Sequence, residues 1–469
     1  MTLRQTYKQI LSGALIYFAF NAVCLAEKLD EVVRETVSTN PEILMSSAVK
    51  YAQANAVRES VGGYLPKVDI YASYGRDHNK NYFTRLENPG PGGDGELTLT
   101  KREAIFSIKQ MLFDGFAVRS EVEANSARDK STGYGVLAKL EEVILQVTAA
   151  YIDTIMVRSI YLHAKENVSY HEQILDALNN KRVEGISDGD IELATARLTA
   201  AHTSLLDLQR DIRDAQADYI KIVGKKPGVM YRPEMPNRSI PNSEDSAVKI
   251  ALKHNPLILI ANSDIQAARA DKRGAKAPYF PRLDLELSGS NNKNVDGINQ
   301  NTNSLSAMLL LKYNLFNGGK DVANERKTAW VLEERKESLN ETMRVIEQEM
   351  RHIWSAFINY KGQLGFLKQR IDNMQQTRDA YYKEFAEGNR ELFEVLDSER
   401  ELYYAKSQYV MAQYKELFSR FMILRSMGKI REYFNIPIPA SVCFNNSYWL
   451  NGISPEAVAT KKCKPTPPK

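Results

Sequence analysis

Apolar and polar residues alternate in four stretches of the chain, and this period of two predicts four β-strands. In the second half, the apolar residues at alternate positions are Leu283, Leu285 and Leu287, then Leu305, Ala307, Leu309, Leu311, Tyr313 and Leu315. In the first half they are Val68, Ile70, Ala72 and Tyr74, with a partner stretch around Ala104, Phe106 and Ile108. Each stretch is close to the roughly 9–11 residues that a membrane-spanning strand needs.

Elsewhere the apolar residues are spaced by three and four, which predicts long helices with one seam against a neighbour. The best example runs through Leu339, Met343, Ile346, Met350, Ile353, Phe357, Tyr360, Leu364, Leu367, Ile371 and Met374. No proline lies between Asn317 and Ile436, so a helix from Gly319 to about Ala386 would be ~100 Å long. Gly185 and Gly388 each precede another heptad stretch, and we expect an antiparallel helical hairpin at both.

The strand and helix signals occur twice because the chain contains an internal duplication. Asn40-Pro41, Arg58 and Tyr64-Leu65-Pro66 recur 215 residues later as Asn255-Pro256, Arg273 and Tyr279-Phe280-Pro281. Leu112-Phe113-Asp114-Gly115 recurs 203 residues later as Leu315-Phe316-Asn317-Gly318. A repeat whose length changes fall in a loop predicts two copies of one structural unit.

The two copies and the segments around them divide the chain into five parts. The predicted divisions are a signal peptide over 1–26, a first copy over 27–224, a Pro-rich connector over 225–245, a second copy over 246–430 and a C-terminal segment over 431–469 with a disordered end. Within the copies, 76–96 and 289–303 are rich in Asn, Gly and Pro, and we expect exposed loops there.

The N-terminus predicts export. Arg4 and Lys8 precede a short apolar run over 10–23, and Ala26 is an acceptable cleavage site; a buried N-terminal helix is the alternative. The mature chain would keep Cys443 and Cys463. In an oxidising compartment we expect them to form a disulfide, with two free thiols as the alternative.

The composition and the motifs exclude several classes of function. A net charge of +4 over 469 residues is too small to indicate nucleic-acid binding. The sequence contains no phosphate-binding loop, no H-E-x-x-H and no G-x-S-x-G, and its six histidines are scattered. We therefore expect no enzymatic activity, no cofactor and no metal site.

After the signal we expect no helix apolar enough to span a membrane, so any crossing would use strands. Four strands cannot close a barrel, and open edges are not tolerated in lipid. Two chains would supply eight strands and three would supply twelve. The predicted fold class is an α+β membrane protein, duplicated, with four strands per chain in a barrel shared between chains and a long helical coiled coil.

The ordered set of motifs, present twice, resembles the TolC-like outer-membrane efflux family over about Leu29 to Ile430, and in particular its type I secretion channel branch. The resemblance implies a homotrimer with a twelve-stranded barrel in outer-membrane lipid and a helical tunnel in the periplasm. It also implies two kinds of partner: a periplasmic adaptor and an inner-membrane pump, either ATP-driven (ABC) or proton-driven.

The resemblance implies a gate at the periplasmic mouth. Arg390 falls at the family's gating arginine, and its acidic partner would be Asp190 or, because the spacing is one residue short, Asp188. Glu394 and Asp397 match two acidic positions that ring the pore. Like charges that close together would favour cations.

The residues alone permit a plainer interpretation of the same positions. Acids in the first turn of a helix stabilise its dipole, Arg390 and Glu394 form an i, i+4 pair, and Ser187 with Asp190 fits a capping box. Two alternatives also remain for the function of the whole chain. It is either a passive export channel or an exported coiled-coil protein with a structural or adhesive role.

Overall fold

The structure is a computed structural model that describes residues 27–87, 95–180, 187–439 and 442. The predicted signal peptide, Gly185, Cys443 and Cys463 lie outside these residues. The chain divides into two compact units. Among the described residues, one unit contains those up to Leu44 and those within Ala138–Asn255 and Ile346–Pro437, and the other contains those within Met45–Leu137 and Pro256–Val345.

The described elements follow the duplicated order expected from the sequence. The first copy contains α1 (Leu29–Thr39), α2 (Pro41–Val61), β1 (Lys67–Lys80), α3 (Tyr82–Glu87), β2 (Glu96–Phe113), α4 (Ala117–Asn180) and α5 (Asp188–Val223). The second contains α6 (Glu244–His254), α7 (Pro256–Gly274), β3 (Arg282–Lys293), β4 (Asn301–Lys312), α8 (Lys320–Ala386), α9 (Leu392–Ser426) and the short α10 (Ile430–Tyr433).

The four strands form one antiparallel sheet in the order β1-β2-β3-β4. The register aligns Val68, Ile108, Leu287 and Ala307 in one row across all four strands. The adjacent row on the same face contains Ile70, Phe106, Gly289 and Leu305. These side chains are uncovered in the single chain, with Leu305 90% and Ile70 79% exposed. These two rows of one face of the sheet are therefore apolar and uncovered.

The opposite face of the sheet is mostly polar. The rows that alternate with the apolar ones include Asp69, Ser107, Ser288 and Ser306. The hydroxyls of Ser288 and Ser306 are hydrogen-bonded at 2.8 Å, and Ser73 donates to Glu103 at 2.9 Å. Within the described residues β1 and β4 are the two edges of the sheet, since each pairs on one side only. The predicted alternation is confirmed within the four strands, but β4 ends at Lys312, before Tyr313 and Leu315.

The loops expected at the tips of both hairpins are shorter than predicted. β1 continues to Lys80 and is followed by the helix α3, while β3 continues to Lys293 and β4 begins at Asn301. Here polar residues pair across the ladder, as the side-chain hydrogen bond from Asn291 to Asn303 shows. Asn and Ser in pairs stabilise a strand, although their composition alone suggested a loop.

The turn from β2 into α4 explains the Phe-Asp-Gly motif of the first copy, which recurs as Phe-Asn-Gly in the second. Gly115 has φ of +68°, and a Cβ there would lie 2.5 Å from the carbonyl oxygen of Ala277. Asp114 accepts the backbone N–H groups of Ala117 and Val118, which begin the helix. Phe113 packs edge-to-face on Phe280, 6.5 Å between ring centroids. The motif thus combines a left-handed turn, a helix cap and an aromatic anchor.

The helices are as long as the heptads predicted. α8 contains 67 residues and α4 contains 64, which correspond to about 100 Å and 96 Å at 1.5 Å per residue. Residues of the predicted α8 seam are among its buried residues, including Ile346, Met350, Ile353 and Phe357. Residues 225–245 contain a single short 3₁₀ turn, Asn237–Ser239, before α6 begins at Glu244.

One described helix, α4, is long and apolar enough to cross a membrane by length and composition, contrary to our expectation of none. Its most apolar 18-residue window is 56% buried inside the fold. A core helix of a soluble unit has the same character, so the burial explains the hydrophobicity without a membrane.

Candidate functional site

The ends of four helices meet in one apolar cluster, which we call the tip cluster. It consists of Ile174 and Leu178 at the end of α4, Ala194 near the start of α5, and Leu392, Val395 and Leu396 at the start of α9. Tyr381 and Phe385, at the end of α8, pack against it. The tip cluster therefore holds both helical hairpins together next to the residues expected to form the gate.

Arg390 lies in the turn between α8 and α9 and holds that turn closed. Its Nη2 lies 2.7 Å from Oε2 of Glu384, and its Nη1 lies 2.8 Å from Oε1 of Glu394. The guanidinium stacks on the ring of Tyr381 at 4.0 Å. The hydrogen bonds to Glu384 and Glu394 raise the pKa of Arg390. One arginine thus joins the last turn of α8 to the first turn of α9.

Glu394 and Asp397 lie one turn apart on α9, as the sequence indicated, and each has a basic neighbour. Glu394 pairs with Arg390, and Asp397 Oδ1 lies 2.5 Å from Nη2 of Arg400. The side chains of both acids are partly exposed, 40% for Glu394 and 33% for Asp397. Each of these carboxylates is therefore paired with an arginine of its own hairpin.

Asp190 caps its own helix. Its carboxylate accepts the backbone N–H of Ser187 at 3.1 Å, and the Ser187 hydroxyl accepts the backbone N–H of Asp190 at 3.2 Å. The capping-box alternative is confirmed. Asp188 is the first residue of α5 and is exposed. The structure brings Arg390 and Glu394 together but pairs Asp190 with Ser187, so within one chain Arg390 has its acidic partners on its own hairpin.

A second ionic group beside the tip cluster was not found from the sequence. Arg378 of α8 lies 3.0 Å from Glu399 of α9 and stacks over the ring of Tyr170 of α4 at 5.1 Å. Glu399 is 4% exposed; burial raises its pKa, and Arg378 opposes that shift. These residues tie three helices together through charge in a buried position.

Further along the same helices, Lys406 of α9 donates to Glu166 of α4 at 3.0 Å, and His163 lies 3.1 Å from the same carboxylate. The other histidine of this helix, His171, is buried. Burial and the nearby Arg197 lower its pKa to about 4. His171 is therefore uncharged at neutral pH. His163 thus lies beside an ion pair, and His171 is part of the packed interior.

These ion pairs join residues of different helices. Ionic contacts of this kind can stabilise one of two arrangements of a helical hairpin. The sequence could identify the pairs Arg390–Glu394 and Ser187–Asp190 because the members of each pair are within four residues of each other. The sequence could not show that Tyr170 and Glu399 belong to one group, because 229 residues separate them. Charged residues in a heptad pattern also look like those of an exposed helix face.

Comparisons with known proteins agree with this architecture. The family model described as "Outer membrane efflux protein" matches residues 247–428. The outer membrane efflux protein BepC of Brucella suis is 22% identical over 423 residues, covering 90% of this chain and 89% of BepC. The outer membrane protein TolC of Escherichia coli is 22% identical over 441 residues, covering 88% of this chain and 84% of TolC.

The fold is also found among solved structures. The outer membrane protein VceC of Vibrio cholerae superposes with a TM-score of 0.72 at 15% identity, covering 86% of this chain and 96% of VceC. The fold class and the outer-membrane location expected from the sequence are both confirmed. The chain is thus similar in sequence and in fold to outer membrane efflux proteins over most of its length.

Proposed function

We propose that this chain forms the outer-membrane channel of a tripartite export system, a passive exit duct used for type I protein secretion, for efflux of small molecules, or for both. The observation that carries the proposal is the sheet. An apolar face that runs unbroken across four strands, opposite a polar face, fits a wall between lipid and a water-filled lumen.

The edges of the sheet support assembly from several chains. β1 and β4 each have unpaired backbone groups on one side, and such edges are not tolerated in hydrocarbon. Pairing β1 of one chain with β4 of the next satisfies both edges. Three chains would give twelve strands, which leave a lumen, whereas eight strands leave room for little beyond side chains. A homotrimer in outer-membrane lipid is therefore the proposed assembly.

The duct would draw its energy from other proteins. The described residues contain no group of three metal-binding side chains, and we propose no chemistry for the chain itself. A periplasmic adaptor would hold the helical hairpins, and an inner-membrane pump, driven by ATP or by protons, would deliver the cargo. The resemblance to channels of this family supports both partners.

At the periplasmic mouth we propose that Arg390 acts as a latch. Its bonds to Glu384 and Glu394 stabilise the turn between α8 and α9. In the trimer, Asp190 or Asp188 of a neighbouring hairpin would be a further acidic partner. Glu394 and Asp397 from three chains would place six carboxylates around the mouth and favour cations.

The competing function is that of an exported coiled-coil protein with a structural or adhesive role. It would account for the heptads of α8 but not for the uncovered apolar rows of the sheet. The two are separated by the assembly in mild detergent and by conductance in a planar bilayer. The proposal predicts a trimer-sized band that heat converts to monomer, together with discrete channel currents. A soluble periplasmic monomer without currents would refute it.

A further inference from the structure

The apolar face of the sheet carries a basic group at its hairpin end, beyond the hydrophobic rows. Arg76 of β1, Arg102 of β2 and Lys293 of β3 lie on this face, because each is an even number of residues from Ile70, Phe106 or Leu287. We call these three residues the basic triad. Arg76 and Arg102 are exposed, and Lys293 is half-buried.

The triad places like charges close together. Arg102 and Lys293 are direct cross-strand partners, and such pairs have Cβ atoms about 4.5–5.5 Å apart. Arg76 pairs with Thr100, so it is the diagonal neighbour of Arg102. Like charges directly opposite each other destabilise a sheet. Within the described part of the chain no ion pair is recorded for any of the three. A bound anion would relieve this repulsion.

A second pair of neighbouring cations, on the polar face, differs from the triad because each of its members has a carboxylate partner. Lys67 and Lys109 are also direct cross-strand partners. There, however, Lys67 lies 3.5 Å from Asp69, and Lys109 lies 3.6 Å from Asp284. The protein supplies its own carboxylates where the face is polar. It supplies none for the triad, where the same face continues into the apolar rows.

The position of the triad indicates the chemistry of the anion. Phe106 is four residues from Arg102 along β2, which corresponds to roughly 13 Å. Tyr74, 79% exposed, lies beside Arg102 in the row. An apolar band, then an aromatic ring, then cations is the order in which acyl chains, the interface and headgroup phosphates occur in a membrane.

We propose that the basic triad binds the phosphate groups of a phosphorylated glycolipid of the outer leaflet, with its acyl chains on the apolar rows. The inference rests on the proposed spanning of the membrane by these strands. The long helices α2 and α4 adjoin the other ends of β1 and β2, so the hairpin ends would face outward from the periplasm. Lipid A combines phosphate groups, which would bind the three clustered cations, with acyl chains, which would cover the apolar surface next to them.

The test uses the full chain purified in mild detergent and mixed with lipid A micelles. Native mass spectrometry measures the lipid A retained by wild type, by Arg102→Gln/Lys293→Gln and by the matched control Lys67→Gln/Lys109→Gln, which also removes a cross-strand pair of cations. We expect the first double variant to retain about thirtyfold less lipid A, at roughly 1 kcal/mol for each of the two cations near the surface, and the control to retain the wild-type amount.

Two further arms identify the ligand. Lipid A without its phosphates should bind the wild type no better than it binds Arg102→Gln/Lys293→Gln, and millimolar inorganic phosphate should not displace lipid A. Equal retention by all three proteins, equal retention of the dephosphorylated lipid, or displacement by free phosphate would each overturn the proposal.

The assembly is checked separately from lipid binding. If Arg102→Gln/Lys293→Gln gives no heat-labile oligomer, Arg76→Gln takes its place, because Arg76 faces Thr100 instead of a cation, and about a fivefold loss is expected. Channel currents in phosphatidylcholine bilayers should be the same for wild type and both double variants. A wild type without currents would contradict the channel, whereas conducting proteins with equal lipid A retention would contradict only the triad.

Discussion

Arg390 and Glu394 are joined across the first turn of α9, with 2.8 Å between Nη1 and Oε1. The same guanidinium holds Glu384 at the end of α8. A single side chain therefore connects the two helices on either side of a turn, close to the tip cluster. Because the link is ionic and partly exposed, it can be broken without unpacking the apolar residues beneath it.

Replacing Arg390 with alanine should loosen this turn and increase the time that the channel spends open. We expect the open probability in planar bilayers to rise at least about fivefold, the lower end of typical coupling between two states. Arg351→Ala is the matched control, because Arg351 also binds two glutamates, Glu347 and Glu244, on the same unit. An equal rise in both variants would argue against a latch at Arg390.

Replacing Glu394 with Gln and Asp397 with Asn should remove the negative ring at the mouth. The expected result is a reduced preference for cations in reversal-potential measurements and loss of block by multivalent cations. Asp207→Asn/Asp211→Asn, on an exposed part of α5, removes the same charge away from the tips and should change neither property. Unchanged selectivity in the first variant would leave these acids as helix caps.

The ion pair between Arg378 and Glu399 should be more sensitive to loss of the cation than to loss of the carboxylate. Arg378→Met leaves a buried charge without its partner, and we expect the free energy of unfolding to fall by about 3 kcal/mol. Glu399→Gln removes the buried charge itself and should cost about 1 kcal/mol. Urea denaturation followed by circular dichroism measures both. Equal losses would mean that the pair is effectively solvated.

Glu141 should make the protein less stable as the pH rises. It is 5% exposed, and burial raises the pKa of its carboxyl to about 8, although Arg431 and Arg425 oppose the shift. The unfolded chain releases this proton near its ordinary pKa of 4.5, so the stabilising effect of the protonated group is present below that pH and is lost as the pH rises towards 8.

Glu141→Gln removes this titration. Its stability relative to wild type should increase by a few kcal/mol between about pH 5 and pH 8 and then stay constant. Thermal unfolding across that range provides the measurement, and the exposed carboxyl of Glu341, changed to Gln, provides the control. A difference that does not vary with pH would show that Glu141 is ionised in the fold.

The sequence predicted those parts of the molecule that depend on local spacing. The alternation of Leu305, Ala307 and Leu309 predicted a strand face, and Ser187 with Asp190 predicted a helix cap, because the interacting groups lie within a few residues. The Asn-rich hairpin ends were expected to be loops, because the composition gives no sign that Asn291 would bond to Asn303. Long-range charge pairs were missed for a related reason. Arg378 looks like any surface position until α4 covers it.

The accessibility of alternate positions on β4 in a lipid bilayer shows directly whether the sheet spans the membrane. Cysteines replace Leu305, Ser306 or Leu309 one at a time in a protein whose Cys443 and Cys463 are changed to serine, and each variant is reconstituted and treated with a water-soluble thiol reagent. We predict rapid labelling at 306, which faces the lumen, and protection at 305 and 309, which face lipid. Rapid labelling at all three positions would show that the sheet does not span the membrane and would contradict the channel.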